Sequence, residues 1–404
     1  MKSAEPLFSN DLISAKPLTV LPPTAISSPA AVIAAAVGKE ALEKGERFAG
    51  EIARGFVADF EKSEALVAAG RVDKPDKMAH VSTFLRHDGY LYVTYYANTE
   101  TAAEDPEHQT ARLVCCPEDD PNDMTFFDVQ TVGEICGGKK IGKVYDTILM
   151  QKDADTLYVL WTAEADGVYY RLYRPFSTVS KTLGPVGVNR FRVGNVTNDF
   201  STTGMQNALA ENDLPCKRMF NDIGIMQKLS SRDENGVKVF YTGAYSGEYN
   251  CIIKSKDLVT WEYVAAPDFP NRSVWENATY VIGDKCYYYV RQLEGDPHGF
   301  LTVYDLANGS WKRPVLIEDC QSRSDFLVRN GGLYLFYAPD DREHIGVVQV
   351  DTNNIAASRV LFKAKMPTSC FYPFVREYGD GCAMSYTVAR RHIRLARFDF
   401  DAYL

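Results

Sequence analysis

From Lys77 onward the chain alternates. Short apolar runs with two-residue periodicity follow one another, each broken by Gly, Asp or Asn. In HVSTFLRHDGYLYVTYYAN the pair Asp88-Gly89 separates two such runs, which predicts a tight hairpin with His87 serving the turn. The same succession recurs: a polar or aromatic start, a short apolar strand, a turn, then an aromatic-rich strand. It is found at 79–98, 144–164, 220–245, 275–293, 323–340 and 371–390. Most units then carry further strands, as in NCIIKSKDLVTWEYV and HGFLTVYDLANGSWKRPVLI. Four antiparallel strands repeated about an axis predict an all-β fold, a β-propeller. Six blades are visible, and 180–219 leaves room for a seventh, irregular one. A two-sheet sandwich matches the strand content but not the recurring unit.

Before Lys77 the pattern differs. Residues 1–27 are Pro-rich and irregular. From Ser28-Pro29 to about Ala69 Ala, Glu, Lys and Leu dominate, and Ile52, Phe56 and Phe60 fall at four-residue spacing with Val57 beside them. That predicts one or two amphipathic helices, interrupted at Gly38, Gly45, Gly50 or Gly55. The chain therefore divides into an extension, 1–77, packing on a propeller domain, 78–404. Because the last unit is short, closing the ring requires a strand borrowed from before Lys77.

Composition adds to this picture at three points. Aromatic residues make up 12% of 404, with 24 Tyr and 21 Phe, as suits pleated surfaces. The net charge of −9 offers no global field for nucleic acid or anionic lipid, so an acidic ligand must be met by locally placed arginines. Nine cysteines form no CxxC pair and no His-bearing metal pattern, and read as reduced, buried thiols. AAVIAAAV at 30–37 is too short to span a bilayer, and the opening residues lack the apolar run of a signal peptide. The expected location is cytoplasmic for a complete chain, or periplasmic or secreted if a leader has been removed.

In a propeller the first strand of each blade lines the central channel, so the strand starts converge on one mouth. Here they are His80, Tyr145-Asp146, Asn221-Asp222, Glu276-Asn277, Arg323-Ser324-Asp325 and Phe371-Tyr372. Two chemistries fit that ring. Asp146, Asp222, Glu276 and Asp325 supply carboxylates for glycoside hydrolysis. Alternatively, His80 and Tyr145 act as proton carriers, and Arg218, Asn221 and Arg323 hold a uronate carboxylate for β-elimination. Trp275 beside Glu276 is either a sugar-stacking platform or inter-blade packing. His298, His344 and His392 fall in turn-like or later-strand contexts and read as structural. A glycan-binding propeller without catalysis keeps the same ring.

The motifs AHVSTFLRHDGYLYVTYYANT, DPEHQT, KVYDTI, KRMFNDIGIM and QSRSDFLV resemble the rhamnose–glucuronate lyases that act on arabinogalactan side chains, over about 78–400. Some members of that family were first grouped as α-L-rhamnosidases. The resemblance implies a seven-bladed propeller that removes terminal L-rhamnose from an α-1,4-linked glucuronate by β-elimination. By position it implies His80, His108 and Tyr145 as catalytic groups. It also implies Arg218 and Arg323 as carboxylate ligands, with Asn221 beside them, and Glu276, Trp275 and Tyr372 fall in the same binding region. The partner expected is an acidic oligosaccharide or polysaccharide. No organic cofactor is implied; a calcium ion in the central channel is the ion such propellers allow, although nothing here resembles an EF-hand loop.

Overall fold

The computed structural model describes residues 6–9, 14–21, 29–219, 221–267, 276–292 and 298–404. Their strands form six sheets, one for each repeat read from the sequence. Blade 1 runs Met78–His87, Tyr90–Asn98, Thr110–Pro117 and Thr125–Thr131 from channel to rim. Blade 2 is built on Lys139–Gln151, Thr156–Ala165 and Val168–Ser177. Blade 3 spans 190–265, blade 4 277–318 and blade 5 325–365. Blade 6 comprises Cys370–Tyr378, Gly381–Val388, His392–Phe398 and, as its outermost strand, Phe56–Asp59. This last strand pairs antiparallel with His392–Phe398, so the ring closes on a strand from before Lys77.

The blades hold together through cores lying between them. Successive side chains of a strand point to opposite faces, so each blade feeds two cores. Leu85 packs with Leu149 and Trp161 of blade 2, while its neighbour Phe84 packs with Phe374 and Leu395 of blade 6. Ile148 and Leu149 divide in the same way between blades 3 and 1. Inner strands buried on both faces need continuous apolar runs, which is why the aromatic load is so high. SKDLVTWE builds one blade edge: Asp257 Oδ1 accepts from Val259 N and Thr260 N (2.8 and 2.7 Å). Trp261 is fully buried beside that turn.

Two expectations are corrected. Residues 180–219 form no seventh blade: Arg190–Val193 runs parallel to Thr260–Ala265 and extends blade 3, followed by Val196–Asp199 and the helix Thr202–Glu211. Nor is 28–69 continuously helical. Val32–Ile33 is a strand on blade 4; helix α1 spans Lys39–Arg54, and α2 covers only Glu64–Ala68. The four-residue apolar stripe fails at Phe56, which is 47% exposed on the closing strand, whereas Phe48 and Ile52 of α1 are buried. Position 55, at the C-terminus of α1, must be glycine because a Cβ there would overlap the carbonyl of Arg397 on blade 6. Within α1, Gly45 is required for the same reason, letting the helix lie against the Lys363 carbonyl of blade 5. Phe48 then stacks among Phe362, Phe398 and Tyr403.

All nine cysteines are buried and free. No helix among the described residues is long and apolar enough to cross a membrane.

Candidate functional site

Three inner strands carry the same irregularity. Pairing slips between His80 and Thr83 in blade 1, Tyr145 and Ile148 in blade 2, and Phe371 and Phe374 in blade 6. At each slip one non-glycine residue adopts the left-handed region: Val81 (φ 55), Asp146 (φ 51) and Tyr372 (φ 55). Such bulges turn side chains out of the alternation, and their strain is sustained by surrounding packing. All three residues line one cavity of about 300 Å³ at the channel mouth, with Tyr145, Asn221, Asp222, Glu276 and Arg323.

The cavity floor is a buried ionic cluster. Arg171 donates to Asp146 Oδ2 (3.0 Å), and Arg291 donates to Glu276 Oε2. Arg323 sits between them, with Nη1 2.5 Å from Asp146 Oδ1 and Nε 3.7 Å from Glu276 Oε1. Neither approach has hydrogen-bond geometry, and Arg323 Nε and Nη1, Arg291 Nε, and Arg171 Nε and Nη2 are buried without a hydrogen-bond partner. Burial disfavours the Glu276 carboxylate, but Arg291 and Arg323 outweigh it and hold its pKa at about 2. The Tyr372 ring lies 5.2 Å from the Arg323 guanidinium, and its hydroxyl is 3.5 Å from Arg291 Nη1.

Beside this cluster stands an acid. The Tyr145 hydroxyl donates to Asp222 Oδ1 at 2.5 Å. Burial raises the Asp222 pKa to about 7, with the negative charge of Asp146 adding to the effect and the Tyr145 hydrogen bond opposing it. Burial likewise drives the Tyr145 phenol well above its ordinary value. At the mouth, Glu276 is therefore held as the carboxylate, while Asp222 is poised to exchange a proton near neutrality.

The expected site residues separate. Tyr145, Asn221, Glu276, Arg323 and Tyr372 line the cavity, as do Asp146 and Asp222. His80 does not: the bulge presents Val81 in its place and His80 is fully buried, stacked on Tyr372 (4.7 Å, 23°) with Nδ1 on Thr387 Oγ1 at 3.1 Å. Burial, then the charges of Arg390 and Arg323, hold its imidazole neutral. His108 and Arg218 lie outside the lining; His108 is about half exposed and bonded to Asp105 (2.8 Å), and Arg218 is exposed. Trp275 lies outside the described residues. Arg171 and Arg291 were missed because neither begins an inner strand. Arg291 was nevertheless readable: the hairpin pairs Asn277 with Val290, which sets Glu276 and Arg291 side by side.

The calcium expectation meets a cationic environment. Asp325, reached by side chains or backbone from blades 3 and 6, gives Oδ2 to the Lys228 ammonium (2.9 Å) and to Val375 N (2.8 Å). An ammonium already on the carboxylate does not fit a divalent cation, which needs several oxygen ligands. One group of described residues, Asp59, Glu61 and His392, has metal-ligand atoms within 4.8 Å of one another. They satisfy one another and their neighbours instead: His392 bonds Glu61 (2.7 Å), Ile393 N donates to Glu61 (3.0 Å) and Arg394 bonds Asp59 (3.0 Å). A larger concavity, about 770 Å³, lies where Arg86, Glu118, Tyr378 and Arg397 meet. Its central Glu118 is already engaged, with Arg86 and Tyr378 each 2.6 Å away.

No protein-family model and no curated protein matches the chain. Solved structures do match in fold. Trypanosoma rangeli sialidase bound to the inhibitor DANA aligns with TM-score 0.51 and 12% identity over 81% of this chain and 56% of the sialidase. The same enzyme with 2,3-difluoro-KDN gives 0.52 and 12% over 85% and 58%. The Hadza microbial sialidase Hz136 gives 0.53 and 10% over 81% and 66%. The chain thus spans 56 to 66% of the length of these neighbours. At such identities the likeness establishes one thing: this chain has the β-propeller fold of the sialidases.

Proposed function

We propose that the protein is a glycosidase that hydrolyses the bond to a terminal sugar bearing a carboxylate. Arg323 carries this reading: a buried guanidinium at a cavity floor with Nε and Nη1 making no hydrogen bond. Three arginines there face two carboxylates, Asp146 and Glu276, plus an Asp222 that is protonated below about pH 7. Buried cations without full compensation are costly, so a ligand carboxylate is favoured, and arginine receives it in a two-pronged grip. Asp222 donates the proton to the departing oxygen. Tyr372, its hydroxyl between Arg291 and Glu276, attacks the anomeric carbon as the bond to that oxygen breaks, and a water molecule then displaces the tyrosyl oxygen to release the sugar, a tyrosine role found among sialidases. Once a substrate carboxylate takes up the charge of Arg291 and Arg323, Glu276 becomes a stronger base for the Tyr372 proton. The matched sialidases, one bound to DANA and one to a difluoro-KDN, support an acidic sugar.

β-Elimination from a rhamnosyl-glucuronate is the second reading. It is favoured by the Tyr145–Asp222 couple, a proton carrier facing an arginine in the same cavity. The two separate in one assay over rhamnosyl-glucuronate, glucuronyl and sialyl oligosaccharides. Hydrolysis releases a reducing acidic sugar with no new ultraviolet absorbance; elimination gives an unsaturated uronate that absorbs near the ultraviolet edge. Absorbance growing in step with rhamnose release overturns hydrolysis. Calorimetric binding without either product assigns a glycan-binding propeller.

A further inference from the structure

Hydrolysis with Asp222 as the acid fixes where the departing group must lie, and this inference rests on that reading. The acid has to reach the glycosidic oxygen, so the leaving group sits on the Asp222–Tyr145 side of the cavity, away from Arg291 and Tyr372. On that side the wall is aromatic. The Tyr169 ring stands 6.2 Å from the Tyr145 ring at 61°. Lys143 lies 5.9 Å from the Tyr169 ring centroid, and Pro106, on the loop joining the second and third strands of blade 1, completes the lining. Both Tyr169 and Lys143 are partly exposed, whereas the arginine floor is closed. That loop is fastened through Glu104, which accepts from the Tyr96 hydroxyl and from Arg390 Nη1, both at 2.5 Å.

We infer that Tyr169, with Pro106 and Lys143 around it, is the leaving-group subsite and takes a second pyranose ring, so that the substrate is an acidic sugar linked to another sugar. An aromatic face packs on the apolar face of a pyranose, and the partly exposed Lys143 ammonium is within reach of its hydroxyls. The wall lacks the buried guanidinium donors of the floor, and the charge of Lys143 is already met by Glu107 at 3.7 Å, so the second ring is neutral and the charged residue is terminal.

The test compares substrates with and without that ring. Glycosyl fluorides of glucuronic and N-acetylneuraminic acid carry no leaving ring; the matching disaccharides to galactose do. For Tyr169→Ala, kcat/KM on the disaccharide should fall about tenfold further than on the fluoride, the scale of one aromatic contact. Tyr169→Phe, which keeps the ring face, should behave as wild type on both. Equal loss on the two substrates, or no loss on either, overturns the subsite. Wild-type protein that turns over neither fluoride nor disaccharide overturns the hydrolase reading itself, and the subsite with it.

Discussion

Asp222 and Glu276 are both carboxylic acids at one mouth, yet their environments drive them apart. Burial carries Asp222 to about 7, and the paired arginines hold Glu276 at about 2. A general acid works only while protonated, so kcat/KM should fall as pH rises through about 7. Asp222→Asn should remove that basic limb and lower activity by about 10²–10⁴-fold on substrates with poor leaving groups. A pH–rate profile over both proteins reads this directly, and an unchanged limb in the variant would remove Asp222 from the role. Glu276→Gln leaves Arg291 and Arg323 short of a buried counter-charge, at a cost of about 3–5 kcal/mol. Denaturant titration should show it. For a depressed carboxylate, the stabilising contribution is full above its unfolded pKa and is lost as pH falls through the folded value. The wild-type cluster should therefore survive acidification until pH nears 2, and the gap between wild type and variant should close there.

Helix α1 shows how an element can defy its own propensity. Alanine at position 45 would gain about 1 kcal/mol as helix former over glycine. Its Cβ, however, would overlap the Lys363 carbonyl, and overpacking of that kind costs about 1–3 kcal/mol. Because the obstacle is backbone and not a flexible side chain, the second effect wins: Gly45→Ala should lower the melting temperature. A rise would mean that α1 shifts freely on blade 5. The same contact explains what could be read beforehand. The period-four stripe correctly placed Ile52, but Phe56 continues the stripe numerically while lying on a strand edge, and Phe60 is buried in a different core just beyond that strand. Four residues are too few for period two to announce itself against a preceding helix. The bulges at Val81, Asp146 and Tyr372 were equally silent, since a single left-handed residue leaves the hydrophobic pattern on either side unbroken. The pattern therefore does not tell which of His80 and Val81 faces the cavity.

In the whole molecule, closure joins the two ends of the ring. Phe56–Asp59 covers the edge of His392–Phe398, and the Glu61–His392 bond clamps the seam. Removing residues 1–61 would expose that strand edge and the apolar face beneath α1. The truncated protein should lose cooperative melting and self-associate; light scattering and calorimetry would show either outcome. A monomeric, cooperatively folded truncation would refute the role of the closing strand.

The succession of short apolar runs broken by turn residues was enough to determine the blades, because burial on both faces of each inner strand can be met only by continuous apolar runs between turns. The convergence of Tyr145, Asp222, Glu276, Arg323 and Tyr372 followed from that repeat, since every blade begins at the same mouth. Tertiary structure alone decided which side chain of each strand start faces the cavity, because a bulge shifts the register by one residue. It also decided that Arg171 and Arg291, from a third and a second strand respectively, join the floor. Charge partners and proton affinities belong to distances across blades, and no local pattern encodes those.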